Sequence, residues 1–521
     1  MHHSIARRHT LGDILRRSAR RTPDRIAVEF AGEQLTYAGL DAAVQRVACA
    51  LQSHGVVPGE KIAILSRNSL AFILMRFATA RLGAVLVPVN YMLNGKEIAY
   101  ILRHSGARIL CTDSLHAGVA REAAATDTAI ETFIWLPGEG QGAPEPGMVS
   151  FHDLLSTPAD APWSEPDLHG GMLAQILYTS GTESLPKGAM LTHDSVIAQY
   201  VSVMIAAEYS AADTMLHAMP LFHCAQLDTF FGPFLYNGAR NVILSAPVPE
   251  AVLAAIEKSR ITSFFAPPTV WISLLRSPAF ERHDLSSLKK CYYGASIMPV
   301  AILQELQQRL PGVRFWNIYG QTEIAPTATV LGPEDQIRKA GSAGRPVLNV
   351  ETRIVDDDCI EVARGTVGEI VHRSPHLLVG YFNDEARTAE AFSGGWFHSG
   401  DLGVMDDEGY ITVVDRTKDM IKTGGENVSS REVEETVYRL PAVSEVAVIA
   451  LSDPHWVEAV TAVVVVKSGQ QLDEATVVEH CRAQLAHFKC PKRVIFADGL
   501  PRNPSGKILK RELRLRYDVA S

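Results

Sequence analysis

The sequence predicts an α/β fold. A large multi-subdomain N-terminal domain has mostly parallel sheets plus a small β-rich subdomain, and a small α+β C-terminal domain follows. Three observations predict it. Over roughly the first 400 residues, short apolar strand-like runs alternate with helical runs. Between Gly365 and Tyr381, glycine, proline and alternating apolar residues replace the helical period, as in Glu369-Ile-Val-His-Arg-Ser. Beyond Asp415-Arg-Thr-Lys418 the pattern becomes a compact α+β run of about 100 residues, a full small domain. The boundary is placed at Thr417–Lys418, giving domains 1–417 and 418–521.

In chain order, Ile26–Phe30 reads as a strand, Tyr37–His54 as an amphipathic helix and Lys61–Leu65 as a buried strand. Ala71–Leu82 returns to helical spacing, and Gly83–Val89 carries the strand-like Val85, Leu86 and Val87. Ile109–Thr112 and Phe133–Leu136 add short strands. Repeated β-α-β order implies a mostly parallel sheet covered by helices. In the last fifth of the chain, Tyr410–Val414 ends as a strand and Ser429-Ser-Arg-Glu432 opens a helix through Arg439 with a capping-box pattern. Val446–Leu451 and Ala459–Val466 are strands, Glu474–Leu485 a helix, and Arg493–Phe496 a short strand.

The composition is that of a soluble globular protein: 521 residues, 47% hydrophobic and 21% charged. A net charge of −9 argues against a nucleic-acid partner, because a phosphate backbone calls for a basic face. The seven cysteines are odd in number and form no C-x-x-C pair. A reducing cytoplasm suits them better than a disulfide framework. The N-terminal segment lacks the apolar stretch of a secretory signal, and no apolar run has the length of a membrane helix. No integral membrane contact is expected. The sequence does not set the oligomeric state and leaves a homodimer open.

The most informative stretch is Tyr178-Thr-Ser-Gly-Thr-Glu-Ser-Leu-Pro-Lys-Gly188. Small hydroxyl residues and glycines (Thr179, Ser180, Gly181, Thr182) let backbone N–H groups approach phosphate oxygens, and Lys187 adds charge. Its spacing is not that of a Walker A loop. Six further segments follow in order: Pro220-Leu-Phe-His223, Tyr293-Gly-Ala-Ser296, Asn317-Ile-Tyr-Gly-Gln-Thr-Glu323, Trp396-Phe-His-Ser-Gly-Asp401, Asp415-Arg-Thr-Lys-Asp419 and Pro501-Arg-Asn-Pro-Ser-Gly-Lys507. Taken together, over nearly the whole chain, they resemble the adenylate-forming superfamily of acyl-CoA synthetases, luciferases and peptide-synthetase adenylation domains.

The resemblance implies an AMP-forming acid–thiol ligase. A carboxylic acid and ATP give an acyl-adenylate, whose acyl group then passes to coenzyme A. It implies that Glu323 holds Mg²⁺, a hard cation suited to carboxylate and phosphate oxygens, and that Thr322 donates to the α-phosphate. It makes Gly294, Ala295 and Ser296 the adenine-facing turn, and Asn317, Tyr319, Gly320 and Gln321 part of the nucleotide segment. Asp401 would accept from both ribose hydroxyls, and Arg416 would contact ribose or phosphate. Lys507 would bridge the reacting carboxylate and the α-phosphate. A swing of the small domain about Lys418 would then exchange Lys507 for the face carrying Lys422, Gly424, Gly425 and Glu426, where glycines let a pantetheine arm pass. His223 would line the acyl channel, with a satisfied core histidine as the alternative. Phe222, His223, Trp271, Gly294 and Gln321 are candidate pocket positions. Cys224 reads as core rather than nucleophile, and Lys510 and Arg511 as solvated charges.

Two departures stand out. The family's loop usually reads S-G-T-T-G-x-P-K-G; here Glu183 and Ser184 replace a hydroxyl and a glycine. A carboxylate about 5 Å from one phosphate charge costs roughly 3 kcal/mol at an effective dielectric of about 20. Two readings stay open: impaired ATP-dependent adenylation with surviving use of a preformed acyl-AMP, or a Glu183 that points to solvent and leaves activity normal. The second departure is Val457, where the family usually has glycine after Trp456. The acid is expected to be fatty or bulky and hydrophobic. An aryl-acid CoA ligase, and a stand-alone adenylation enzyme loading a carrier protein in trans, are the competing readings.

Overall fold

The computed structural model describes residues 2–140, 142–179, 186–296, 298–416, 419–423, 426–454, 456–502 and 508–518. Strands predicted at Ile26–Phe30, Lys61–Leu65, Ile109–Thr112 and Arg493–Phe496 form with those bounds. They do not all share one sheet. Ile26–Phe30 joins a nine-stranded sheet whose centre is the parallel set 290–294, 263–265, 214–217 and 240–243. Lys61–Leu65 joins an eight-stranded sheet between Val85–Pro88 and Ile109–Thr112, parallel to both.

The helices between these strands explain the split. Leu70–Leu82 buries 11 of its 13 residues, so it has no solvent face. It packs with Tyr37–Ser53 in a cluster that takes Val28 and Phe30 from one sheet and Ile62, Ile64 and Leu86 from the other. Each large apolar side chain sequestered there contributes about 1.5–3 kcal/mol. Ser69 caps the helix through Phe72 N–H, and Gly83 ends it at φ 72°. Gly83 is therefore a helix cap rather than the first residue of the following strand.

A four-stranded antiparallel sheet (351–355, 368–373, 397–405, 411–416) is the β-rich unit expected around Gly365. Strands 443–453 and 457–466 pair over their full length in a five-stranded C-terminal sheet, flanked by 421–423 and 426–428 and by 493–496. Thr417 and Lys418, the expected boundary, lie outside the described residues. Across it, Asp415 Oδ2 accepts from both the N–H and the hydroxyl of Ser430 at 2.8 Å.

Two local expectations are corrected. Ser429 caps helix Ser430–Tyr438 by accepting from Glu432 N–H, but Glu432 does not reach back; its carboxylate pairs with Lys489 at 2.7 Å. Lys510 is not a solvated charge. Its Nζ lies 2.8 Å from the Glu434 carboxylate and 2.6 Å from Ser430 Oγ, tying the last helix to Ser430–Tyr438. Arg511 is exposed, as expected.

Candidate active site

Three sheets contribute strands to one region. The strands Leu173–Thr179 and Lys187–Thr192 form an antiparallel hairpin in which Thr179 pairs with Lys187. Ser180, Gly181, Thr182, Glu183 and Ser184, which come between the two strands in the chain, lie outside the described residues. The returning strand is joined by Gly380–Tyr381, which pairs with Met190 and Ala189. Tyr381 then does two things. Its hydroxyl donates to Glu323 Oε1 at 3.0 Å, and its ring lies under the Lys187 ammonium at 5.1 Å. Burial, followed by the Glu323 charge, raises the Tyr381 pKa well above its ordinary value, so the phenol stays a donor.

Glu323 sits in a single helical turn, Thr322–Ile324, after the strand Arg314–Tyr319. It is 8% exposed, and its carbonyl accepts from Leu378 N–H at 2.8 Å. Thr322 Oγ1 lies 3.3 Å from Cys224 Sγ, which brings the Pro220–Cys224 segment against the same turn. Burial pushes the Cys224 thiol up to about 12, which suits a core residue and not a nucleophile. His223 is half-buried; Ala225 N–H donates to its Nδ1 at 3.1 Å, leaving Nε2 to carry the proton of the neutral ring. Burial lowers its pKa to about 4.

The same strand–turn segment reaches the four-stranded sheet. Tyr319 donates its hydroxyl to Asp401 Oδ2 at 2.7 Å, and Gln321 Nε2 lies 3.4 Å from the Ser399 carbonyl. Arg416 Nε meets the other oxygen, Oδ1, at 3.0 Å, because Asp401 and Arg416 are cross-strand partners. Burial pushes the Arg416 pKa down, but Asp401 and its neighbours carry it above the ordinary value. Asn317 donates to the Ser342 carbonyl at 2.9 Å.

Two glycines here are demanded by packing. A Cβ on Gly294 would stand 2.2 Å from the Ile318 carbonyl oxygen, and one on Gly320 would stand 1.9 Å from that of Pro326. Ala295, exposed at φ 61°, carries backbone strain into the turn after Gly294, with Ser296 beside it. Trp271 does not line this region. It is 1% exposed, donates to the Tyr292 carbonyl at 3.1 Å and packs edge-on to Phe264, so it is core. Phe222 is buried edge-on against Tyr91.

Lys422 and Glu426 are exposed on the hairpin 421–423 and 426–428, and Lys422 N–H donates to Glu458 at 2.6 Å. Gly424, Gly425 and Lys507 lie outside the described residues. Val457 stands next to that hairpin, paired with Thr423, at φ 67° and 72% exposed. That conformation suits glycine and strains a β-branched residue.

Sequence reasoning missed Tyr381, which joins the loop's lysine to the turn's carboxylate. Its signal was a Gly-Tyr pair beside an unassigned strand, too short to read alone. Among the described residues no three or more His, Cys, Asp or Glu side chains gather as a metal cage. Glu323 alone still fits Mg²⁺, which is commonly held by one or two carboxylates with substrate phosphates supplying the rest.

The fold and these contacts define an adenylate-forming enzyme. The chain belongs to the AMP-binding enzyme family, whose model matches residues 15–382, while the model of the AMP-binding enzyme C-terminal domain matches residues 432–507. It is an AMP-forming acid–thiol ligase of the acyl-CoA synthetase type. A feruloyl-CoA synthase from Amycolatopsis sp is 38% identical over 98% of this chain and 100% of its own. An indoleacetate–CoA ligase from Aromatoleum aromaticum is 36% identical over 97% of each chain. The solved structure of an anthranilate CoA ligase in complex with anthranoyl-AMP superposes with a TM-score of 0.91 at 27% identity, over 98% of both chains. Asp401 and Arg416 fall between the two matched family segments.

Proposed function

We propose that this enzyme joins a bulky hydrophobic carboxylic acid, an aryl acid in the first instance, to CoA in a cytoplasmic setting. One observation carries the reading. The segment Tyr319–Glu323 hands Tyr319 to Asp401, Gln321 to the Ser399 carbonyl and Glu323 to Tyr381 within five residues. Groups suited to ribose, adenine and phosphate are thereby held by one rigid strand end. The aryl preference rests on the feruloyl and indoleacetate relatives; a long-chain fatty-acid–CoA ligase from Mycobacterium tuberculosis, 35% identical over 93% of this chain, keeps fatty acids as the second class to assay.

In this reading Asp401 accepts from the ribose, with Tyr319 and Arg416 fixing its orientation. Thr322 and the Thr179–Lys187 hairpin contact the α-phosphate side, and Lys507 approaches the reacting carboxylate. Mg²⁺, held by Glu323, would neutralise charge on the phosphates. Residues beyond Lys418 swing as a unit, so that Lys422 and Glu426 face the thiol in the second step. Lys507→Ala then abolishes acid- and ATP-dependent turnover while sparing thiol transfer from a supplied acyl-adenylate. Equal loss of both steps would defeat the assignment. Transfer to free CoA, compared with transfer to a phosphopantetheinyl protein, tests the acceptor; a carrier-protein ligase is also among the relatives at 34% identity.

Glu183 adds a finer proposal: the first half-reaction is weakened. Lys187, the next cation along the chain, is seated over Tyr381. Replacing Glu183 with threonine should tighten ATP binding by roughly a hundredfold, the equivalent of about 3 kcal/mol. Equal wild-type turnover from acid with ATP and from acyl-adenylate with CoA would remove this proposal and leave the ligase reading intact.

A further inference from the structure

Six of the seven cysteines are buried; Cys359 alone is partly exposed. It occupies the end of the turn Asp356–Cys359 at φ 60°, a backbone position that favours glycine or asparagine. Its sulfur lies 3.3 Å from His398 Nε2. His398 Nδ1 lies 2.8 Å from Glu369 Oε2. The Ser393 carbonyl oxygen, an acceptor only, is also 3.2 Å from Nε2. Nδ1–H can donate to Glu369, which leaves Nε2 to take the thiol proton. An imidazolium beside a sulfur stabilises the thiolate, the reactive form of cysteine. Cys359 is partly exposed, and Gly394 beside it lacks the Cβ that would come within 3.1 Å of Sγ. Asp357 and Asp358, next in the chain, are exposed, where solvent and salt screen their charges.

The cluster is also wired to the nucleotide region. The second oxygen of Glu369 accepts from Gly400 N–H at 2.9 Å, one residue before Asp401. We propose that Cys359, His398 and Glu369 form a thiol-modification site for hydroperoxides, and that its oxidation loosens the turn presenting Asp401. The thiol proton passes to His398, and the thiolate sulfur attacks one peroxide oxygen. An S–O bond forms as the O–O bond breaks, and the imidazolium returns a proton to the leaving oxygen. The sum is Cys–SH + ROOH → Cys–SOH + ROH: sulfur loses two electrons and the peroxide gains them. The sulfenic acid carries an added oxygen and no charge, so the attraction between thiolate and imidazolium is lost, His398 and Glu369 shift, and the Gly400 contact with Glu369 loosens.

This consequence rests on Asp401 holding the ribose; the reactivity of Cys359 does not. The full-length enzyme is exposed to limiting hydrogen peroxide with a sulfenic-acid trap, and the labelled peptides are quantified. Cys359 should label at least about tenfold faster than any other thiol, and His398→Gln or Glu369→Gln should slow it by about the same factor. Labelling at the rate of the buried cysteines, or a rate indifferent to both substitutions, would overturn the site. Calorimetry with AMP completes the test: oxidation should weaken binding several-fold in the wild type and leave Cys359→Ser unchanged. Equal affinities before and after oxidation would overturn the link to Asp401, whereas absence of AMP binding to the untreated enzyme would instead count against the proposed function.

Discussion

Asp401 and Glu323 are the two buried carboxylates of the site, 5% and 8% exposed, and they are held differently. Asp401 has a donor on each oxygen, Arg416 on one and Tyr319 on the other. Among the described residues Glu323 has one side-chain donor, Tyr381 on Oε1. A carboxylate satisfied by protein on both sides is oriented before its ligand arrives. One satisfied on a single side keeps an oxygen for a cation or a phosphate-bound ion. Under the proposed function, the difference separates a positioning carboxylate, coupled to folding, from a charge-supplying one, coupled to chemistry.

The sharpest way to break that comparison is Glu323→Gln. Turnover from acid and ATP should fall roughly 10²–10³-fold, because an amide cannot neutralise a cation. Stability should change little, since the amide oxygen still accepts from Tyr381. Comparable losses in chemical denaturation would erase the distinction. Asp401→Ala should do the opposite. It strands Arg416 and Tyr319, so about 2–3 kcal/mol of stability is lost along with AMP affinity, read by denaturation and calorimetry.

Acid probes both regions at once. Burial lowers the pKa of His372 to about 4, with Asp401 pulling it partly back, and burial lowers His223 to about 4 as well. Both rings are neutral in the folded state and take up protons near pH 6.5 when unfolded. Their contribution is complete above pH 6.5 and is lost as pH falls toward 4. Each costs about 1.4 kcal/mol per pH unit in that window. Denaturant midpoints at pH 7.5 and 5.5 measure it, and His372→Asn should flatten the slope; an unchanged slope would contradict the burial argument.

Smaller effects refine the contrast. Tyr319→Phe removes one of two donors from Asp401 and should cost about 1 kcal/mol in stability. Tyr381→Phe removes the hydroxyl donor from Glu323, keeps the ring under Lys187 and should register in turnover before stability. Finally, Val457→Gly, remote from both carboxylates, should raise stability by roughly 1 kcal/mol by relieving the left-handed backbone, visible as a higher Tm.

Much of this was legible in the residues. Strand bounds at Lys61–Leu65 and Ile109–Thr112 follow from continuous apolar runs, which admit little else. The Tyr319–Glu323 segment was legible because its chemistry is contiguous. Contacts that cross the chain were not. Lys510 looks solvated in sequence because its partners, Glu434 and Ser430, lie some 80 residues away. Tyr381 looks like an edge-strand aromatic until the sheet sets it between Lys187 and Glu323. Trp271 looks like a pocket wall until Phe264 and Phe315 enclose it.

The sequence by itself determined the family, the order of its motifs and the local elements, because periodicity, capping and turn chemistry act over a few residues. Only the tertiary structure decided which strands share a sheet, which donors meet Asp401 and Glu323, and that Cys359 faces His398. Those depend on distances between residues far apart in the chain, and hydrogen bonds and ion pairs act only at contact range.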